Sequence, residues 1–301
     1  MKSFSFLLLI TFWFSGSSTL DITSTFTTDE GLPNNEVRAI LNDPTGSIWI
    51  GSGSGAAWLE GSHWKMDTRE INPVVNGVST LFKDSRGNLW FGGLNEFHVY
   101  EDGAYKTYSI LEDLGLSGRV VFSFHEDRDH NIWVGTTGGA AVFDGSNWQT
   151  FTTDNGLNNN VIHDIDQDKH GNIWFATRKG GIHIYDGSTW QYWYPDLNAR
   201  KLFRDKDDTM WIGTSNGLLK FNGTKWQTFE EGKTVLPMFR GDKGFIWCIA
   251  NGTDIVRIAP DGQAIYYEDP TGGKANEIYH LEYAQDGSVW AGTDQGVFVF
   301  H

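Results

Sequence analysis

The chain has 301 residues, 38 acidic against 23 basic side chains and a formal net charge of -15 at pH 7, which argues against nucleic acid or an anionic membrane surface as partner. A single cysteine, Cys248, excludes an intramolecular disulfide, so the fold must hold by core packing, and an apolar setting behind Trp247 marks the thiol as inert. Residues 1–17 read as a secretory leader, with Lys2, an apolar run from Phe4 to Phe14 and small residues from Ser15 on. That run is too short to span a bilayer, which takes ~20 residues. The expectation is a periplasmic or secreted chain with one domain over residues 18–301.

Behind the leader, ITSTFTTDEGLPNNEV reads as the tail of a unit whose beginning is missing, because WQTFTTDNGLNNNVI recurs after a full lead-in at residues 148–162. Next come VRAILND, SIWIGS, GAAWLEG and HWKMDT, four short runs rich in β-branched and aromatic residues and separated by Asp, Gly, Asn and Ser. They predict four strands joined by tight turns, with no helical period. The same unit returns as DSRGNLWFG, DRDHNIWVG, DKHGNIWFA, DKDDTMWIG, DKGFIWCIA and AQDGSVWAG, placing Trp49, Trp90, Trp133, Trp174, Trp211, Trp247 and Trp290 roughly forty residues apart. Each tryptophan is expected to pack between neighbouring units, and Trp64, Trp148, Trp190 and Trp226 to mark outer strands. The last unit supplies IYHLEYA, GSVWAGT and GVFVFH and lacks a fourth strand, which ITSTFTT can provide. The fold class is therefore all-β: a seven-bladed β-propeller of four-stranded antiparallel blades, its ring closed by the N-terminal strand.

The spaced pattern D-x-x-G-x-[IL]-W-[IFV]-G-T-x-x-G, F-D-G-x-x-W-x-x-F-T and G-L-x-x-N-x-V, seen best at residues 127–162, resembles the two-component regulator propeller repeat. The resemblance extends over all seven units and weakens in the last three. It implies a propeller of the kind that forms the periplasmic sensing part of hybrid sensor kinases, often two in tandem, and recognises oligosaccharides or similar ligands. The chain shows one propeller and neither a kinase nor an immunoglobulin-like segment, so the expectation is that the fold and a binding role carry over and signalling by itself does not.

In a propeller the loops that lead into the inner strands meet the second-to-third-strand loops on one face. Asn35, Asn76, Arg119, Asn160 and Asn276 stand at the first set and Arg178 and Lys179 in the second, where amides and cations could meet sugar hydroxyls or an anionic group. Local bonding of loop asparagines to their own backbone is the competing role. Along the inner strands, polar residues alternate on the face opposite the Ile40 position: His125, Asp164, Asp166, Lys201, His280 and Glu282. They read as the lining of a water-filled axis, or, if they converge, as an acid–base set. The spacing Asp127, Asp129, Asn131 resembles a calcium loop, but other units use the same place as a turn; no metal or cofactor is expected. The reading adopted is a monomeric, noncatalytic recognition module for an oligosaccharide or protein ligand. The alternatives are a protein interaction platform and a propeller lyase or hydrolase with an axial site.

Overall fold

The computed structural model describes residues 19–43, 46–66 and 77–301, so the leader and Asn76 lie outside the described residues. All regular structure is β apart from two short 3-10 turns, Thr28–Glu30 and Asp242–Gly244. Strands pair with their sequence neighbours into antiparallel meanders, as in Val121–Glu126, Ile132–Thr136, Gly139–Phe143 and Trp148–Phe151, the Trp133 sheet. Among the described residues there are five four-stranded sheets and one of eight strands, whose halves, the Trp211 and Trp247 sheets, meet through the single bridge Thr214 to Val235. The Trp290 sheet takes its fourth strand from the other end of the chain: Ile22–Phe26 runs antiparallel to Gly296–Phe300, with Phe26 opposite Val297. Cys248 is fully buried, and burial pushes its thiol pKa up.

The repeat motif has a structural meaning in each of its letters. In the Trp174 sheet, one oxygen of Asp168 accepts from the backbone N–H groups of His170 and Asn172 and closes the turn. The other accepts from the indole N–H of Trp174, 3.1 Å away. The same indole bond ties Trp90 to Asp84, Trp133 to Asp127 and Trp211 to Asp205. A large ring can thus be buried with its one donor satisfied. The glycine two residues later is a contact point: a Cβ on Gly135 would stand 3.1 Å from Ile162 of the next sheet, and one on Gly292 would stand 2.7 Å from the Val37 carbonyl. The threonine that follows bonds across its hairpin, Thr136 Oγ1 donating to Gly139 O at 2.8 Å and Thr293 Oγ1 to Gly296 O at 2.9 Å.

The core lies between sheets rather than within them. Trp133 packs with Ile162, Ile165 and Phe175 of the following sheet, Trp174 with Leu202 and Ile212, and Trp290 with Val37, Ile40 and Ile50. Each buried indole removes ~150–250 Å² from water, about 4–6 kcal/mol gross as an upper bound. Leu32 and Leu157, from the G-L-x-x-N segments, are 4% and 3% exposed and belong to these clusters, not to a surface patch. First strands pack side by side in chain order, and Ile278–Tyr283 also packs against Val37–Asn42. Their polar residues are thereby gathered in one region.

Candidate functional site

A recurrent irregularity shapes the start of the first strands. Their pairing with the second strand slips by one residue at Arg38, Phe122, His163, Arg200 and Tyr279. In the Trp247 sheet the slip comes at Met238, directly after Pro237, which has no N–H for the ladder. Simple alternation would put these residues on the buried face with Ile40; a bulge re-aims them. Phe122 and His163, from adjacent sheets, stack with centroids 5.2 Å apart and an interplanar angle of 21°. Burial, then the positive charges of Arg200 and Arg178, lower the His163 pKa to about 4, against a smaller opposing pull from Asp164. His163 Nε2 is buried without a hydrogen-bond partner. Elsewhere in the set, Arg38 Nη2 pairs with Glu36 at 2.6 Å. Burial and the carboxylates of Glu277, Glu36 and Asp294 raise the Tyr279 hydroxyl.

The loop residues expected from sequence divide into two kinds. Asn35 Oδ1 accepts from Thr28 N and Asn160 Oδ1 from Thr153 N, both at 2.7 Å, so these amides tie down their own loops. Asn276 Nδ2 donates to Asp294 Oδ2 at 2.8 Å. Arg119, Arg178 and Lys179 are exposed, and Lys179 holds a left-handed φ of 54°. Arg178 joins the Phe122, His163 and Arg200 group through its charge at His163. Sequence reasoning passed over Phe122, His163 and Arg200 because it assigned their register to the core. The available signal was a set of polar side chains, Arg38, His163 and Arg200, at a nominally buried position.

Deeper along the first strands, the polar residues form linked pairs. Lys201 Nζ lies 2.9 Å from Asp164 Oδ2, His125 Nδ1 3.8 Å from Asp166 Oδ1, and His280 Nε2 3.5 Å from Glu282 Oε2. Burial alone would lower the Lys201 pKa, but the charge and hydrogen bond of Asp164, with Asp166 and Glu282 adding, hold it above its ordinary value. Burial raises Asp166 and lowers His125. The carboxylates also serve backbone: Asp164 Oδ2 accepts from Leu202 N at 2.9 Å and Asp166 Oδ2 from Arg204 N at 3.0 Å. Those amides belong to the edge of the next sheet's first strand and would otherwise be unpaired. Ser123 Oγ and His125 Nε2 are buried without a partner. No cluster of three or more metal-ligating side chains occurs among the described residues.

The low His163 pKa carries a pH expectation. A histidine whose folded pKa lies below the unfolded 6.5 contributes stability that is full above pH 6.5 and is lost as the pH falls through about 4. The unfolding free energy of the wild type relative to His163→Gln should therefore fall by up to ~3 kcal/mol between pH 7 and pH 4. Urea unfolding across that range checks it, and parallel pH profiles would rule out the buried neutral imidazole.

The model of the two component regulator propeller family matches residues 31–54, 73–95, 115–138, 156–179 and 194–216. Among solved structures, the chain is similar to an extracellular domain assigned to a hybrid two component system of B. thetaiotaomicron, with TM-score 0.77 and 24% identity over 92% of this chain and 41% of that one. It is also similar to virginiamycin B lyase from Staphylococcus aureus, at TM-score 0.70 and 15% identity over 89% and 96% of the two chains. A third similar structure is PorZ, a surface component of the type-IX secretion system of Porphyromonas gingivalis, at TM-score 0.72 and 14% identity over 91% and 47%. The chain spans about two fifths of the length of the sensor structures that it matches. No curated protein matches the sequence. These likenesses show a β-propeller. No helix among the described residues is long and apolar enough to cross a membrane.

Proposed function

The chain carries five two-component regulator propeller repeats, and on that premise we propose that it is an exported, noncatalytic recognition module. It is a seven-bladed propeller closed through Ile22–Phe26, and it takes an oligosaccharide on the face where the first strands begin. The observation that carries this reading is the repeated bulge. Arg38, Phe122, His163, Arg200 and Tyr279 stand at the bulge in five of the sheets. Aromatic faces suit the apolar side of a sugar ring, and guanidinium groups suit its hydroxyls or an acidic substituent. The locked hairpins around them would keep the face preorganised. Closure is supported by Phe26, which stacks on Trp290 at 5.7 Å and meets Trp64 of the next sheet edge-on at 5.6 Å. Residues 1–17 would direct export to the periplasm or beyond. Catalysis is the weaker reading because Asp164 and Asp166 are already bonded to strand amides.

Thermal-shift measurements on residues 19–301 with neutral and anionic oligosaccharides test the binding role. A ligand at a hundred times its dissociation constant adds ~2.7 kcal/mol to the folded state. The expected result is a shift abolished by Phe122→Ala or Arg200→Ala while unliganded melting stays close to wild type. No shift with any oligosaccharide would favour a protein ligand on the same face.

A further inference from the structure

At the opposite end of the strands a cavity of about 160 Å³ lies between the Trp90 and Trp133 sheets. Val99, Ile132 and Phe143 supply its apolar wall, and Arg86, Lys106 and His130 its positive and donor groups. Two of the cavity's three acids, Asp84 and Glu126, are engaged. Asp84 accepts from Arg86 N, from Asn88 and from the Trp90 indole. Glu126 accepts from Ser85 N at 2.6 Å and from His130 Nδ1 at 2.7 Å. Among the described residues the Arg86 guanidinium has no carboxylate partner, and Lys106 bonds the Tyr108 side chain and lies over its ring, 4.8 Å from the centre, with the charge of Glu101 acting on it but no ion pair formed.

His130 adds an independent observation. It occupies the turn position held by Gly46, Gly87 and Gly171, where φ is 87°, 92° and 90°, and by Asp208, at 61°, and takes a φ of 65° itself. A left-handed backbone costs a non-glycine residue ~1–2 kcal/mol. Here that conformation presents an imidazole whose Nδ1 is fixed by Glu126 and whose Nε2 has no partner among the described residues. Such strain concentrates where a side chain has a task.

We propose that this cavity is a second binding site, distinct from the bulged face, for a small ring-bearing carboxylate. The ring fills the apolar wall, a space of the size that accepts a benzene ring, and the carboxylate meets Arg86, Lys106 and His130. Glu101, which also lines the cavity, opposes a simple anion and favours a zwitterion, so it discriminates between the two.

The probe is benzoate, with benzamide as its uncharged isostere, titrated by calorimetry at low salt into residues 19–301. Benzoate should bind with millimolar affinity and benzamide at least ~10-fold more weakly. Arg86→Ala and Lys106→Ala should each weaken benzoate by about 10-fold, and Glu101→Gln should tighten it. His130→Gly should weaken binding while the melting temperature holds or rises, since it restores the residue that the turn favours. Equal binding of benzoate and benzamide, no binding at ~10 mM, or weaker binding in Glu101→Gln each overturns the assignment. None of these outcomes bears on oligosaccharide binding at the bulged face.

Discussion

Deletion of residues 21–30 is expected to lower the melting temperature by at least ~10 °C, the largest effect foreseen for any change outside the tryptophans. The segment contributes the strand Ile22–Phe26 and with it the fourth strand of the Trp290 sheet. Without it, Gly296–Phe300 becomes an open edge carrying Val297, Phe298 and Phe300, which are at most 1% exposed in the intact chain. Phe26, half-buried, leaves the gap between Trp290 and Trp64, and the loss of a fully buried aromatic, ~3–5 kcal/mol, is the upper bound of its cost. Differential scanning calorimetry of the truncated chain measures the result, and a synthetic peptide of residues 19–31 should restore part of the loss. Unchanged melting would remove the N-terminal strand from the proposed closure.

Trp174→Ala should cost ~4 kcal/mol and Asp168→Ala ~2 kcal/mol, with the double variant falling about 1 kcal/mol short of their sum. Trp174 is 2% exposed and packs into the Trp211 sheet, so its removal opens a cavity between two sheets that cannot easily collapse. Asp168 serves two ends, the turn amides of His170 and Asn172 and the indole N–H of Trp174. Removing the carboxylate leaves a buried donor unmet; removing the ring as well leaves only the turn to suffer, hence the shortfall. Denaturant unfolding of the four proteins closes the cycle. Strict additivity would mean that the 3.1 Å contact is without energetic weight.

The β architecture and the outer-strand positions of Trp148, Trp190 and Trp226 were legible because strand alternation, turn glycines and a period near forty residues are all local signals. The repeat aspartate was legible as a turn residue, but its second bond, to an indole six residues on, was not. Backbone chemistry explains the turn without it. Asn35 and Asn160 stood open between a ring of ligand-facing amides and bonds to their own loops, and the Thr28 and Thr153 amides claim both acceptors. The bulged residues escaped because alternation assumes an unbroken register, and one extra residue in a strand reverses the face of everything before it. The cavity beside His130 was invisible for a different reason: it joins turns from two repeats, and no pattern within one repeat marks it.

The threonine that bonds across four of the second-to-third-strand hairpins separates two kinds of heritable change. Thr136, Thr177, Thr214 and Thr293 each donate to the carbonyl of a glycine three or four residues on, and all four are at most 1% exposed. The lock holds with two residues between, as in Thr136 to Gly139, and with three, as in Thr177 to Gly181. What lies between differs in identity and length, Arg178, Lys179 and Gly180 in one case and Asp294 and Gln295 in another, while the threonine bond that closes the hairpin stays the same. A lineage could thus rewrite what such a surface recognises, one hairpin at a time, while the scaffold stays under constant selection.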